Sequence, residues 1–153
     1  MSKELGIAHT SIKNNLLLLE EQKLVLRFFE SKGQRKFPIY KANRDSRQFL
    51  WSKRVFNIAS LFESGLIDFL EEKLMPKVIV LFGSYQRGED TEESDIDLFL
   101  ECKKEEIDLK KFEKILQRKI ELHFNEHFLT YPKELKNNII NGIVVFGYLE
   151  GYK

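Results

Sequence analysis

The residues best suited to chemistry lie in one stretch, residues 83–101, which reads GSYQRGEDTEESDIDLFLE. Asp95 and Asp97 alternate with apolar residues, so a strand would present both carboxylates on one face and the apolar side chains on the other. Two adjacent carboxylates repel each other unless a cation lies between them. Oxygen ligands on a rigid element suit Mg²⁺ or Mn²⁺ better than zinc. The spacing therefore predicts a divalent cation site at Asp95 and Asp97.

A phosphate-binding turn is predicted just before these carboxylates. Gly83 follows the apolar run Val78–Phe82 and lets a backbone approach a ligand closely. Ser84 and the amides that follow it can hold phosphates at a helix start. A phosphate site beside a dicarboxylate metal site is what nucleotidyl transfer requires, because the metal neutralises the triphosphate and stabilises the leaving pyrophosphate.

Gly-Ser, ten residues and then Asp-x-Asp resembles the signature of the DNA-polymerase-β-like nucleotidyltransferases, and of their minimal members in particular. The resemblance covers about residues 62–149 and implies an α+β fold with a small mixed β-sheet flanked by helices. It also implies that Asp95 and Asp97 are catalytic metal ligands. Nucleotide contacts would come from Gly83, Ser84 and Arg87 in and after the phosphate turn, and from Ser94 at the start of the alternating strand 94–100.

The family resemblance implies a third carboxylate on a later strand, and Lys119–Phe124 (KIELHF) supplies the candidate. Glu121 is the acid at the centre of this run. The family more commonly has Asp at this position, and the longer side chain of Glu is expected to affect catalysis more than metal binding. His123 and His127 are four residues apart, but a strand-to-loop setting does not suit a helical zinc pair. Tyr85, beside the phosphate turn, is expected to flank a base.

The first third of the chain has a different pattern. A helix is expected to open at Thr10 or Ser11, followed by strands at residues 24–30 and 36–41 around a turn that contains Gly33. Residues 2–44 resemble a winged helix-turn-helix whose first helix is missing. The chain begins inside the family's second helix, and Ser2–Leu5 is the end of that helix. That family usually has Gly where Lys23 stands, and a left-handed cap would cost lysine about 1 kcal/mol.

This resemblance implies double-stranded DNA as a partner, with the helix that opens at Thr10 or Ser11 in a major groove. The expected DNA contacts on the helix and the hairpin are Ser11, Lys13, Asn14, Arg35 and Lys36. Residues 1–54 carry a net charge of +7 and residues 55–153 a net charge of −6, which indicates modules with different partners. A winged-helix fold used only for dimerisation is the alternative.

The sequence thus predicts a winged helix-turn-helix over 1–45, a connecting helix over 46–61 and a nucleotidyltransferase domain over 62–153. The exposed apolar face of the incomplete helical module favours a homodimer. No apolar run is long enough to span a bilayer, so no membrane association is expected. A single cysteine and the absence of a signal pattern indicate a cytoplasmic protein.

Two classes of function fit this architecture. In the first, the protein is a metal-dependent enzyme that moves a nucleoside monophosphate from a nucleoside triphosphate, with ATP expected, to an acceptor hydroxyl. In the second, it is a DNA-binding transcriptional regulator or an antitoxin-like protein whose nucleotidyltransferase-like domain binds nucleotide without turnover. Minimal nucleotidyltransferases often pair with a small helical HEPN-like protein, which is therefore a further expected partner.

Overall fold

The structure is a computed structural model that describes residues 6–151. The chain divides between Ser52 and Lys53 into two compact units, which are described in turn. The helical turn that the sequence predicts at Ser2–Leu5 lies outside the described residues. No helix in the described part of the chain is both long enough and apolar enough to cross a bilayer.

The first unit contains a helix, a β-hairpin and the start of a second helix. Their bounds are α1 (His9–Glu21), β1 (Val25–Lys32), β2 (Arg35–Ala42) and α2 (Arg47–Glu63). The hairpin strands are antiparallel and are joined by a two-residue turn in which Gly33 has a positive φ of 63°. Lys23 has a φ of 58°, which confirms the left-handed residue expected after α1. The carbonyl of Lys23 accepts a hydrogen bond of 2.9 Å from Asn43 Nδ2.

The second unit alternates helices with the strands of a single sheet. Its elements after α2 are α3 (Leu66–Leu74), β3 (Val78–Phe82), α4 (Gly83–Arg87), β4 (Ile96–Leu100), α5 (Lys110–Leu116), β5 (Ile120–Phe124), α6 (Lys133–Ile140) and β6 (Ile143–Gly147). A 3₁₀ turn at Phe128–Thr130 precedes α6. The helix predicted after Ser64 is present, and the Ser64 hydroxyl accepts a hydrogen bond from the Leu66 amide at 3.2 Å.

The sheet has four strands in the order β5-β4-β3-β6. β3 is antiparallel to both of its neighbours, and β4 is parallel to β5, so the sheet is mixed as expected. α5 lies in the crossover that a parallel β4–β5 connection requires. The register aligns Phe82 with Asp97 and Asp97 with Glu121, which places polar residues of two adjacent strands side by side.

Each face of the sheet is covered by a separate apolar cluster. In the larger cluster, strand side chains on the face opposite Asp97 pack against α2, α3 and α5. Its members include Leu61, Leu70, Ile79, Leu81, Ile96, Leu98, Leu100 and Phe112. The smaller cluster contains Val78, Val80, Phe82, Phe99, Phe128 and Ile139. Because β4 alternates strictly between the two, the side chain of Asp97 shares its face with the smaller cluster and is left partly open to solvent.

Candidate active site

Asp97 and Glu121 form the centre of the candidate site. They are paired across the parallel β4–β5 ladder, so their side chains leave the same face of the sheet. Asp97 is half-buried and Glu121 is exposed. Tyr131 lies near this face: burial first, and then the negative charge of Glu121, raises the pKa of its hydroxyl. The structure therefore brings together two of the three carboxylates that the sequence identified.

Gly83 lies directly against Asp97. Its φ is +79°, a conformation that side-chain-bearing residues rarely adopt. A Cβ atom at this position would overlap Asp97 Oδ2 and lie 3.2 Å from Asp97 Cγ. The turn between β3 and α4 can therefore hold the Asp97 carboxylate only if residue 83 has no side chain, which gives the Gly-Ser motif a specific structural reason.

His123 is a third member of the site that sequence reasoning set aside. It lies two residues after Glu121 on β5 and therefore on the same face, with Nε2 3.3 Å from Asp97 Oδ1. One ligand atom from each of Asp97, Glu121 and His123 can be chosen so that all three lie within 4.8 Å of one another. The alternation of β5 is the sequence signal that places His123 beside Glu121. The sequence interpretation considered His123 as a metal ligand only together with His127.

Asp95 and Ser94 are placed differently from the sequence expectation. The strand was expected to include both, but β4 begins at Ile96. Ser94 is held in the preceding loop instead: its hydroxyl accepts a 2.9 Å hydrogen bond from the Thr91 amide, and its own amide bonds the Thr91 carbonyl at 3.2 Å. Asp95 lines an open cleft of about 590 Å³ with residues from the C-terminal end of α5. Among the described residues, the close cluster contains Asp97, Glu121 and His123 but not Asp95.

The phosphate turn predicted at Gly83 and Ser84 forms the start of the short helix α4. Arg87 closes this helix, and its Nε donates to Glu89 Oε2 at 2.7 Å in a half-exposed ion pair. The expectation that Tyr85 flanks a base is wrong, because only 4% of this residue is exposed and its ring belongs to the larger apolar cluster. Burial raises the pKa of Tyr85 to about 12, with a smaller contribution from the charge of Asp90.

A buried polar cluster fixes the loop that leaves α4. Asp90 is 1% exposed; its Oδ1 accepts from Asn57 Nδ2 at 2.8 Å and lies 3.0 Å from Lys53 Nζ, while Oδ2 lies 3.6 Å from Arg118. Asn57 also donates to the Tyr85 carbonyl at 2.9 Å. The cluster thereby ties α2 and the start of β5 to the phosphate turn. Sequence reasoning missed it because Asp90 was one of several acids in a loop expected to be solvated.

The five residues expected to contact DNA are all exposed. Ser11, Lys13 and Asn14 lie on α1, whereas Arg35 and Lys36 are the first two residues of β2. α1 buries no side chain among the described residues. The structure thus leaves the basic positions of the first unit accessible without assigning them a partner.

The chain is similar to known proteins over part of its length. A 32-residue segment is 62% identical to part of a Methanocaldococcus jannaschii protein that is named as a protein adenylyltransferase. The match covers 21% of this chain and 32% of that relative, so the chain spans about one third of the relative's length. No solved structure gave a significant match. A family model described as a nucleotidyltransferase domain matches residues 63–146, which include β3, the Gly-Ser turn, Asp97 and Glu121. The chain therefore belongs to the nucleotidyltransferase domain family.

Proposed function

We propose that this chain transfers a nucleoside monophosphate from ATP to an acceptor hydroxyl and releases pyrophosphate. The pairing of Asp97 with Glu121 beside the Gly83 turn, inside the family domain, is the observation that carries the proposal. The name of the M. jannaschii relative supports AMP as the transferred group and a protein side chain as the acceptor. The acceptor hydroxyl would then belong to the chain itself or to a HEPN-like partner protein.

We propose that Mg²⁺ or Mn²⁺ is held by Asp97 and Glu121, with Asp95 as a further ligand from the adjoining loop. The donor set supports this, because ligand atoms at about 2.1 Å from one ion lie about 3 to 4 Å apart, and those of Asp97 and Glu121 fall within 4.8 Å. A divalent cation bound there would supply positive charge to the triphosphate and lower the pKa of the acceptor hydroxyl.

The roles of the protein side chains follow from this arrangement. The acceptor oxygen forms a bond to the α-phosphorus, while the bond from that phosphorus to the oxygen bridging to the β-phosphate breaks and pyrophosphate leaves. Glu121 is exposed and lies at the edge of the cluster, where it can orient the acceptor and receive its proton. Asp97 is half-buried against Gly83, so its orientation is fixed before substrate binds.

The residues proposed to contact the triphosphate are Gly83, Ser84, Arg87 and Ser94. Arg87 is half-exposed in its ion pair with Glu89, so it can leave Glu89 for a phosphate oxygen, with which a guanidinium forms short charge-assisted bonds. Gly83 and Ser84 adjoin Asp97, which keeps the phosphates beside the proposed cation site.

The test is transfer of radiolabel from [α-³²P]ATP to the chain or to the product of a neighbouring gene, with Mg²⁺ present. Asp97→Asn should abolish labelling, whereas Glu72→Gln, which changes an exposed carboxylate on α3, should leave it intact. [γ-³²P]ATP is the second control, since nucleotidyl transfer discards the γ-phosphate. Label from the γ but not the α position would identify a kinase and overturn the proposal.

The first unit supports a second proposal, that residues 1–45 belong to a winged helix-turn-helix that binds double-stranded DNA. A helix followed by an antiparallel hairpin, with Lys13, Arg35 and Lys36 exposed, is the specific observation in its favour. The connecting helix would then span 46–61 and the nucleotidyltransferase domain 62–153. If ATP binds but no label transfers to any acceptor, the protein acts instead as a DNA-binding regulator that senses nucleotide.

We also propose a homodimer. The hairpin exposes several large apolar side chains, including Leu26, Phe28, Phe29 and Phe37, and exposed apolar surface of this kind marks interfaces. Light scattering at micromolar concentration tests this directly. A mass near that of a single chain, 18.2 kDa, would contradict it.

A further inference from the structure

His123 occupies a position that a hydrogen bond to Asp97 does not fully explain. Its Nε2 lies 3.3 Å from Asp97 Oδ1, which is longer than the usual range of about 2.7–3.2 Å for an N–H···O hydrogen bond. Ligand atoms on adjacent corners of an octahedron lie about 3 Å apart when each is about 2.1 Å from the ion. The observed separation is therefore close to that of two atoms that share one cation.

The imidazole is also held in place by an aromatic contact. The ring of Phe82 meets it edge to face, with the ring centroids 5.1 Å apart. Phe82 is buried and belongs to the smaller apolar cluster, so it restricts the orientations that the His123 ring can adopt. About 20% of the His123 side chain is exposed, which leaves the site open to an ion and its remaining water ligands.

We propose that His123 is a nitrogen ligand of the cation site, through Nε2, and that it makes the site prefer Mn²⁺ to Mg²⁺. This rests on the proposed function, because it assigns a ligand to the cation of the same site. The chemical reason is that Mg²⁺ is bound almost entirely through oxygen, whereas Mn²⁺ takes oxygen ligands as well but, as a first-row transition-metal ion, also accepts an imidazole nitrogen. A site with one nitrogen donor beside the carboxylates of Asp97 and Glu121 would thus discriminate between two ions of the same charge.

The experiment uses the full chain with MnCl₂ and no nucleotide, and reads nitrogen coordination by electron spin-echo envelope modulation of bound Mn²⁺. The wild-type protein should show ¹⁴N modulation from a directly bound nitrogen. His123→Ala should lose it, while His127→Ala should keep it, because the exposed His127 lies outside the cluster. Without His123, the Kd for Mn²⁺ should rise about tenfold, the scale of losing one contributor to a metal site. The Kd for Mg²⁺, from competition, should rise less than about threefold.

A role of His123 in orienting Asp97 alone predicts a different pattern. His123→Asn can still donate a hydrogen bond, so a pure positioning role would leave Mn²⁺ affinity close to wild type in that variant, and the ¹⁴N signal would be absent from the wild-type protein as well. Bound Mn²⁺ without ¹⁴N modulation overturns the inference while AMP transfer, measured separately, still decides the proposed function. If Asp97→Asn fails to weaken Mn²⁺ binding, the cation site itself is wrong and both proposals fall.

Discussion

The carboxylate of Asp97 occupies the space that a side chain at position 83 would need. This relationship joins the two halves of the sequence motif, since Gly83 directly follows β3 and Asp97 lies on the neighbouring strand. It also makes the glycine a structural requirement of the site in addition to any contact with phosphate. The positive φ of Gly83 adds a backbone reason to the steric one.

Gly83→Ala should therefore reduce both activity and stability. We expect loss of AMP transfer, because Asp97 must move, and a loss of roughly 2–3 kcal/mol in the free energy of unfolding from backbone strain and overpacking. Gly33→Ala is the matched control: its φ is also positive, at 63°, but no atom lies within 4 Å of the added Cβ. Denaturant unfolding should show only about 1 kcal/mol for the control, and equal losses would contradict the steric argument.

Removing the Asp90 carboxylate should destabilise the second unit. Asp90→Ala leaves Lys53 and Arg118 without their shared partner in a largely buried setting. Because both cations keep about a fifth of their side chains exposed, we expect roughly 2–4 kcal/mol, somewhat below the cost of breaking a fully buried pair. Glu150→Gln removes an exposed, solvent-screened ion pair with Lys77 and should leave stability close to that of the wild-type protein. Urea unfolding compares the two variants; similar midpoints would show that the Asp90 cluster is not a structural anchor.

Tyr85 should make the protein lose stability at alkaline pH. The folded pKa is about 12, whereas the unfolded chain ionises a tyrosine near pH 10. The unfolded state therefore releases this proton first, and stability falls as the pH rises from 10 towards 12. Between pH 9 and 11 the ionisation of Tyr85 should lower the free energy of unfolding by about 1 kcal/mol. Tyr85→Phe should flatten that part of the profile, and an unchanged slope in the variant would assign the loss to other groups.

Substitution of Glu121 and substitution of Asp97 should have different effects on kcat and on ATP binding. Glu121→Gln should lower kcat for AMP transfer about 10²-fold, as expected for a general base or for a ligand used mainly in the transition state. Binding of ATP with Mg²⁺ should remain near wild type in that variant, whereas Asp97→Asn should weaken both. Steady-state transfer assays and calorimetric ATP titration separate the two effects. Weak ATP binding by Glu121→Gln would place this residue among the triphosphate contacts.

Binding of DNA by the first unit should depend strongly on salt. Four to six phosphate contacts would give a slope of log K against log salt of roughly −4 to −5, because neutralised phosphates release counterions. Lys13→Ala should weaken binding and flatten the slope by about one unit. Lys73→Ala, on α3 of the second unit, is the control and should change neither. Absence of duplex binding at low salt would favour a role in dimerisation alone.

The elements and the site differ in how far sequence could predict them. Alternation in IDLFL was sufficient to orient Asp97 away from the core, and Gly-Ser before it marked the neighbouring turn. Alternation in IELHF likewise put Glu121 and His123 on one face. Strand order was available only through the family resemblance, because the residues that a parallel ladder brings together are far apart in the chain.

Three features depended on contacts that the sequence pattern did not reveal. Asp90 lies in an acidic loop, and its burial arises from Lys53, Asn57 and Arg118, which are 28 or more residues away in the sequence. The start of β4 was also misjudged, because the hydroxyl of Ser94 hydrogen-bonds the backbone of its own loop and competes with strand pairing there. Tyr85 is a third case, since its burial comes from packing in the larger apolar cluster.

The position of β5 at one edge of the sheet has a consequence for how ligands act on the fold. Within residues 6–151, β5 pairs with β4 alone, so the strand that carries Glu121 and His123 has one ladder neighbour where the strand that carries Asp97 has two. Edge strands open more readily than central ones, because less of the fold must be broken to release them. A ligand that contacts both Asp97 and Glu121 therefore stabilises the pairing of the edge strand β5 with β4. Substrate binding and local folding of β5 would be one coupled equilibrium, in which Glu121 and His123 become rigid when the site is filled.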